Sequence, residues 1–116
     1  MEKTMETLTI KTETKGDVAV VTVSGRIDSE SVPALDAELT KITGSTSKLV
    51  VDLKGVEFMS SAGLRVAIKA SQAAEKNGGS VKLASVPEEI TSVMYTVGLN
   101  QKLESFASVE EAIASF

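Results

Sequence analysis

The sequence predicts an α/β fold: a mixed β-sheet of about four to five strands flanked by helices, in a single domain spanning residues 1–116. Three observations predict it. Two β-branched runs, Val18 to Val23 and Lys48 to Leu53, read as strands buried on both faces. Around them, apolar residues recur every three to four positions, the spacing of helices with one buried face. The strand–helix–strand order implies a right-handed crossover and therefore a parallel strand pair.

The elements follow in order. Leu8 to Thr12 alternates apolar and polar residues, with Leu8 and Ile10 on one face, as in a half-exposed strand. Lys15-Gly16-Asp17 turns the chain into Val18 to Val23, which makes these two strands an antiparallel pair. Gly25-Arg26-Ile27-Asp28 leads to a helix from about Ser31 to Thr43, striped by Val32, Leu35, Leu39 and Ile42. Pro33 suits its first turn, where a missing N–H costs little. After Lys48 to Leu53, the bulky Phe58 and Met59 are expected in the core. A long helix from about Ser61 to Asn77 stops at Gly78-Gly79, with Arg65, Lys69, Gln72 and Lys76 as its polar stripe.

Val81 and Leu83 mark a further strand. Ser85 with Glu88 forms a capping-box pattern before a helix carrying Ile90, Val93, Met94 and Val97 on one face, with Gly98 placed to end it. Leu103 to Phe106 reads as a last short strand. Ser108 with Glu111 repeats the capping pattern ahead of a C-terminal helix with Val109, Ala112, Ile113 and Phe116.

Composition narrows the function. A chain of 116 residues buries roughly two-thirds of its unfolded surface and needs no disulfide or metal to fold. Cysteine is absent, which removes redox chemistry and thiolate metal sites. Histidine is absent as well, which removes the usual general base and the commonest transition-metal ligand. The net charge of −4 argues against nucleic acid as a partner. The opening MEKTMETLTI lacks the apolar core of a signal peptide, and no run approaches the roughly 20 residues of a membrane span. A cytoplasmic protein without membrane insertion is expected. Neither G-x-x-x-x-G-K-[ST] nor G-x-G-x-x-G occurs, so no cofactor is predicted.

The informative segment is Val50 to Leu64, VVDLKGVEFMSSAGL. A buried strand is followed by a loop containing Gly55, and then by Ser60-Ser61 at the start of the long helix. A hydroxyl there has two compatible readings. It can cap the helix by accepting from an exposed N–H. It can also accept a phosphate, because free amides and the helix dipole favour an anion at this end. Arg65 follows Ser61 by about one turn and is placed to pair with it.

VVDLKGVEFMSSAGLRVAIKA resembles the signature segment of the anti-sigma factor antagonists, members of the STAS family that sulphate transporters share. The likeness extends to VTVSGRID, NGGSVKLASVPEEI and MYTVGLNQKLESFASVEEAI, and so covers nearly the whole chain. It implies a mixed sheet flanked by helices. It also implies partner switching: the unmodified protein binds an anti-sigma factor with a GHKL-type serine-kinase domain and frees a sigma factor. Phosphorylation ejects it, and a metal-dependent serine phosphatase restores it. The family's phosphoacceptor matches Ser61. The acidic residue often found before it, and the serine after it, are Ser60 and Ala62 here, which leaves Ser60 as an alternative acceptor. The resemblance places the partner surface at Asp28, Ser60, Ser61, Ala62, Gly63 and Arg65. An Asx-type bond capping its own loop is the structural alternative for Asp28.

Two further functions compete. A STAS protein serving a transporter or lipid-export complex would share the fold without being phosphorylated. An enzyme using Ser61 as nucleophile has no histidine for a triad, only Lys54 or Lys69 as a base, and no G-x-S-x-G elbow. The sequence therefore points to a binding module and not to an enzyme. Asp52 ends a buried strand, as a receiver-domain phosphoacceptor does, but the acidic pair such domains carry after their first strand is missing. A bond to nearby backbone is the reading it supports.

Overall fold

The computed structural model describes residues 2–4, 8–96, 98 and 103–116. Among them the chain runs through β1 (Glu2–Thr4), β2 (Leu8–Lys15), β3 (Val18–Ile27), α1 (Val32–Thr43), β4 (Lys48–Met59), α2 (Ser61–Lys76), β5 (Ser80–Ala84), α3 (Glu88–Thr96), β6 (Glu104–Phe106) and α4 (Val109–Ala114). The strands form one mixed sheet whose spatial order is the chain order, β1 to β6. The pairs β1–β2 and β2–β3 are antiparallel, and the remaining three pairs are parallel. The expected α/β class and the parallel crossover are both present. The strand not read from sequence is β1, a three-residue edge that pairs Glu2 with Lys11 and Thr4 with Thr9. Three residues are too short for any periodicity to announce them.

The main core lies between one face of the sheet and α1, α2 and α3. It is built from Ile10, Val21, Val23, Leu35, Leu39, Leu49, Val51, Leu53, Leu64, Leu83 and Met94, among others. A smaller cluster on the opposite face joins Val18, Val20, Val50 and Ala84 to Ala112 of α4, flanked by Phe106, Val109 and Ile113. The first halves of β3 and β4 thus face apolar surroundings on both sides, as their valine and leucine runs require, while Arg26 late in β3 and Lys54, Glu57 and Phe58 late in β4 are exposed.

Four expectations change. The strand expected to end near Leu53, with Gly55 in a loop after it, runs on as β4 to Met59, Gly55 pairing with Ser24 of β3. Phe58 is not in the core but 41% exposed, while its neighbour Met59 is buried. Strand β4 extends through both, and adjacent strand residues point to opposite faces, so only one of them can enter the main core. Val93 is likewise 41% exposed, since Ile90 and Met94 fill the inward face of α3. Val97, expected on the same face, lies outside the described residues. Ser85 does not cap α3. Its φ is +54°, and its hydroxyl donates to the carbonyl of Ala107 at 3.3 Å. The helix starts later, with Thr91 donating to the Pro87 carbonyl at 3.0 Å. A residue before proline is driven to extended backbone, so Val86 cannot serve as a first helical residue. The second expected cap does form: Ser108 Oγ accepts from the Glu111 amide at 3.2 Å.

Candidate functional site

Strands β3 and β4 end side by side. Being parallel, they deliver the segments that follow them to the same edge of the sheet. Ile27 pairs with Met59, and the Ser60 amide then donates to the Ile27 carbonyl at 2.8 Å. The register shifts twice on the way, between Thr22 and Ser24 and again between Gly25 and Arg26, each shift adding one residue to β4. Gly25 takes up the second with a φ of +103°, open to glycine and strained for other residues. These irregularities set Arg26 beside Phe58 and bring Asp28 and Ser60 out together.

The two serines differ in their bonding, where sequence reasoning gave one hydroxyl two compatible readings. Ser60 is the N-cap of α2, with extended backbone, and its Oγ accepts from the Gly63 amide at 3.3 Å. Ser61 is the first residue of the helix and is exposed. Its hydroxyl has no hydrogen bond among the described residues. It sits in the turn whose amides lack partners within the helix.

Ala62 is half-buried, and Gly63 is buried against β3 and β4. A Cβ at Gly63 would lie 2.6 Å from Ile27 Cγ2 and 3.2 Å from Met59 Cγ, so glycine is what lets α2 begin this close to the sheet. Arg65 is exposed on the next turn and forms no ion pair among the described residues. Lys69 is engaged elsewhere, its ammonium 3.1 Å from Asp36 Oδ1. Asp52 binds nearby backbone as expected, accepting from the Lys54 amide at 3.0 Å.

Asp28 organises its own loop. Its Oδ1 accepts from the amides of Glu30 (3.1 Å) and Ser31 (3.2 Å), the Asx-type arrangement anticipated for it. Its Oδ2 lies 3.9 Å from Arg26 Nε. The sequence reading missed Ser31 as a site residue. Fully buried, its hydroxyl donates to the Arg26 carbonyl at 2.7 Å and accepts from the Asp28 amide at 3.0 Å. The Asp-x-x-Ser spacing ahead of a helix was the available signal for this knot.

This edge therefore offers an accessible hydroxyl, a helix N-terminus and a carboxylate loop held in fixed relation. The chain belongs to the STAS domain family, whose model matches residues 9–112. It is 30% identical over 93 residues to the anti-sigma-B factor antagonist of Bacillus subtilis, covering 80% of this chain and 85% of that one. It is 28% identical over 111 residues to the anti-sigma-F factor antagonist RsfB of Mycobacterium tuberculosis, covering 93% and 88% respectively. A crystal structure of an anti-sigma factor antagonist from Mycobacterium paratuberculosis superposes with a TM-score of 0.85 at 27% identity, covering 93% of this chain and 92% of that one. No helix among the described residues is long and apolar enough to cross a membrane.

Proposed function

We propose that this protein is an anti-sigma factor antagonist that works as a phosphorylation-controlled binding module and not as an enzyme. In its unmodified state the edge formed by Asp28, Ser60, Ser61, Ala62, Gly63 and Arg65 binds an anti-sigma factor carrying a GHKL-type serine-kinase domain, which releases a sigma factor. The kinase transfers the γ-phosphoryl group of ATP to Ser61 Oγ, leaving ADP, and the antagonist dissociates. A metal-dependent serine phosphatase hydrolyses the phosphoserine and returns the protein to its binding state. These are events of the cytoplasm.

The observation that carries this reading is the exposed Ser61 hydroxyl at the first position of α2, beside a serine that already caps the helix. The names of the similar proteins support the partner class. Phosphate adds about −1.5 to −2 charges and three strongly hydrated oxygens. Burying it unmatched in a docked surface costs about 2–5 kcal/mol. That is roughly 30-fold to several-thousand-fold in affinity. Within the free protein the same group is tolerated, because helix-terminal amides and the helix dipole favour an anion there.

The test is incubation with the GHKL-type anti-sigma kinases of the source organism and ATP, read by intact mass and phosphosite mapping. One phosphate on Ser61, absent in Ser61→Ala and accompanied by loss of kinase binding, is expected. Phosphate on Ser60 would keep the function and move the site. Absence of modification by every such kinase, together with a stable complex with a transporter subunit, would overturn the proposal.

A further inference from the structure

Phe58 breaks the rule that large aromatic side chains seek cover. Two residues before the helix cap, the residue is 41% exposed, on the sheet face turned away from Met59. It is not left loose. The Arg26 guanidinium lies over it, 4.6 Å from the ring centroid, in the register position beside it on β3. Arg26 is held in turn by Asp28, 3.9 Å from its Nε, and by the Ser31 hydroxyl on its carbonyl. The ring, the cation over it and the carboxylate loop thus form one ordered unit. The backbone of both residues is set by strand pairing and by Ser31 before any partner arrives, so docking on the pair has only the half-exposed side chains left to order.

We infer that the stacked Arg26–Phe58 pair is the anchor of the partner interface, and that the anti-sigma factor covers it with an apolar pocket bearing a carboxylate at its rim. The inference rests on the function proposed above and identifies what the partner must present. Three observations favour that occupant. The pair is continuous with the switch edge: Phe58 leads by two residues to Ser60, whose amide is bonded to Ile27, the residue after Arg26. Arginine and aromatic residues are the types that concentrate binding energy in protein interfaces. The guanidinium side chain is 51% exposed, and Asp28 meets it only at the outer limit of an ion pair, so donors remain free on an otherwise acidic chain. A carboxylate is the group that a guanidinium fork matches. Dispensing with the pair would remove affinity without touching Ser61.

The test measures affinity for the anti-sigma factor by calorimetry, using the full-length unphosphorylated chain. Phe58→Ala is expected to weaken binding about 30-fold or more. Arg26→Gln should weaken it less, and the two losses should be less than additive because one residue seats the other. Both variants should still be phosphorylated on Ser61 at high kinase concentration. Urea unfolding checks that they fold. Should Phe58→Ala be compromised, Phe58→Leu keeps the site apolar while deleting the ring, and should lose a substantial part of the affinity. Wild-type binding that is abolished by Ser61→Asp yet changed less than 3-fold by both Phe58→Ala and Phe58→Leu would overturn the anchor and leave the proposed function standing. Failure of the wild type to bind any anti-sigma factor would remove both. A dimer of this chain that Phe58→Ala dissociates, seen by sedimentation, would assign the ring to a self-interface and overturn the anchor as well.

Discussion

The Ser60 amide donates to the Ile27 carbonyl at 2.8 Å, adding one more rung to the parallel ladder after both strands have formally ended. That bond fixes the start of α2 relative to the loop that begins at Asp28. The loop is fixed in its own right by Ser31, so neither half of the site depends on a partner for its shape.

The two serines should separate under mutation. Ser60→Ala deletes a helix cap and should cost about 1 kcal/mol of stability in urea unfolding. Ser61→Ala removes an exposed hydroxyl without a bonded partner among the described residues and should stay within about 0.5 kcal/mol of the wild type. Ser61→Asp places an anion at the first position of α2 and should stabilise the fold by about 0.3–1 kcal/mol, while affinity for the anti-sigma factor falls. Equal losses of stability for the two alanine variants would refute this division.

Gly63→Val should be the most damaging single change at the site. The added carbons meet Ile27 Cγ2 and Met59 Cγ, both in the main core. Overpacking of this kind costs about 1–3 kcal/mol, and the first turn of α2 must also move outward. Chemical denaturation reads the first effect, and slower phosphorylation of Ser61 reads the second.

Ser31→Ala leaves the Arg26 carbonyl and the Asp28 amide without their shared buried partner. A loss of about 1–3 kcal/mol is expected. Because the loop loosens, binding of the anti-sigma factor should weaken further than the stability change alone explains. Ser31→Thr retains the hydroxyl and should recover part of both losses.

A pH effect is expected at the opposite end of the sheet. Asp17, in the turn between β2 and β3, accepts from Lys48 Nζ at 2.6 Å, and that bond holds its carboxyl below the ordinary value of 3.8. A lowered value in the folded state means that the unfolded chain binds the proton more readily. The contribution to stability is therefore complete above about 3.8 and is lost as the pH falls through the folded-state value. In Lys48→Gln, NMR titration should find Asp17 shifted upward, with a shallower loss of stability in acid. An unmoved Asp17 would show that its bond to its own backbone amide, and not Lys48, carries the shift.

Much of this architecture was legible in the sequence because its signals are local. The valine runs of β3 and β4 and the three-to-four spacing of α1 each announce themselves within a dozen residues. The serines were legible as a capping pair ahead of α2, and Ser60 does cap it, whereas their reading as a switch rested on the family resemblance. What stayed hidden depends on register. Nothing local in Phe58-Met59 says which of the two turns inward; that is decided by bulges opposite Ser24 and Arg26 on a neighbouring strand. The choice between Ser60 and Ser61 as cap likewise hinges on where β4 releases the chain. Ser85 misled because its capping pattern ignored the constraint that Pro87 places on Val86.

The presence of a separate capping serine has a consequence for protein turnover. With Ser61 as the written position, the cap at Ser60 and the core stay in place, and the phosphate adds an anion where the helix end favours one. The unfolded population that proteases survey would then shrink on writing, by about two- to five-fold, and not grow. The cellular pool would pass through many rounds of writing and erasing without the written form being singled out for degradation.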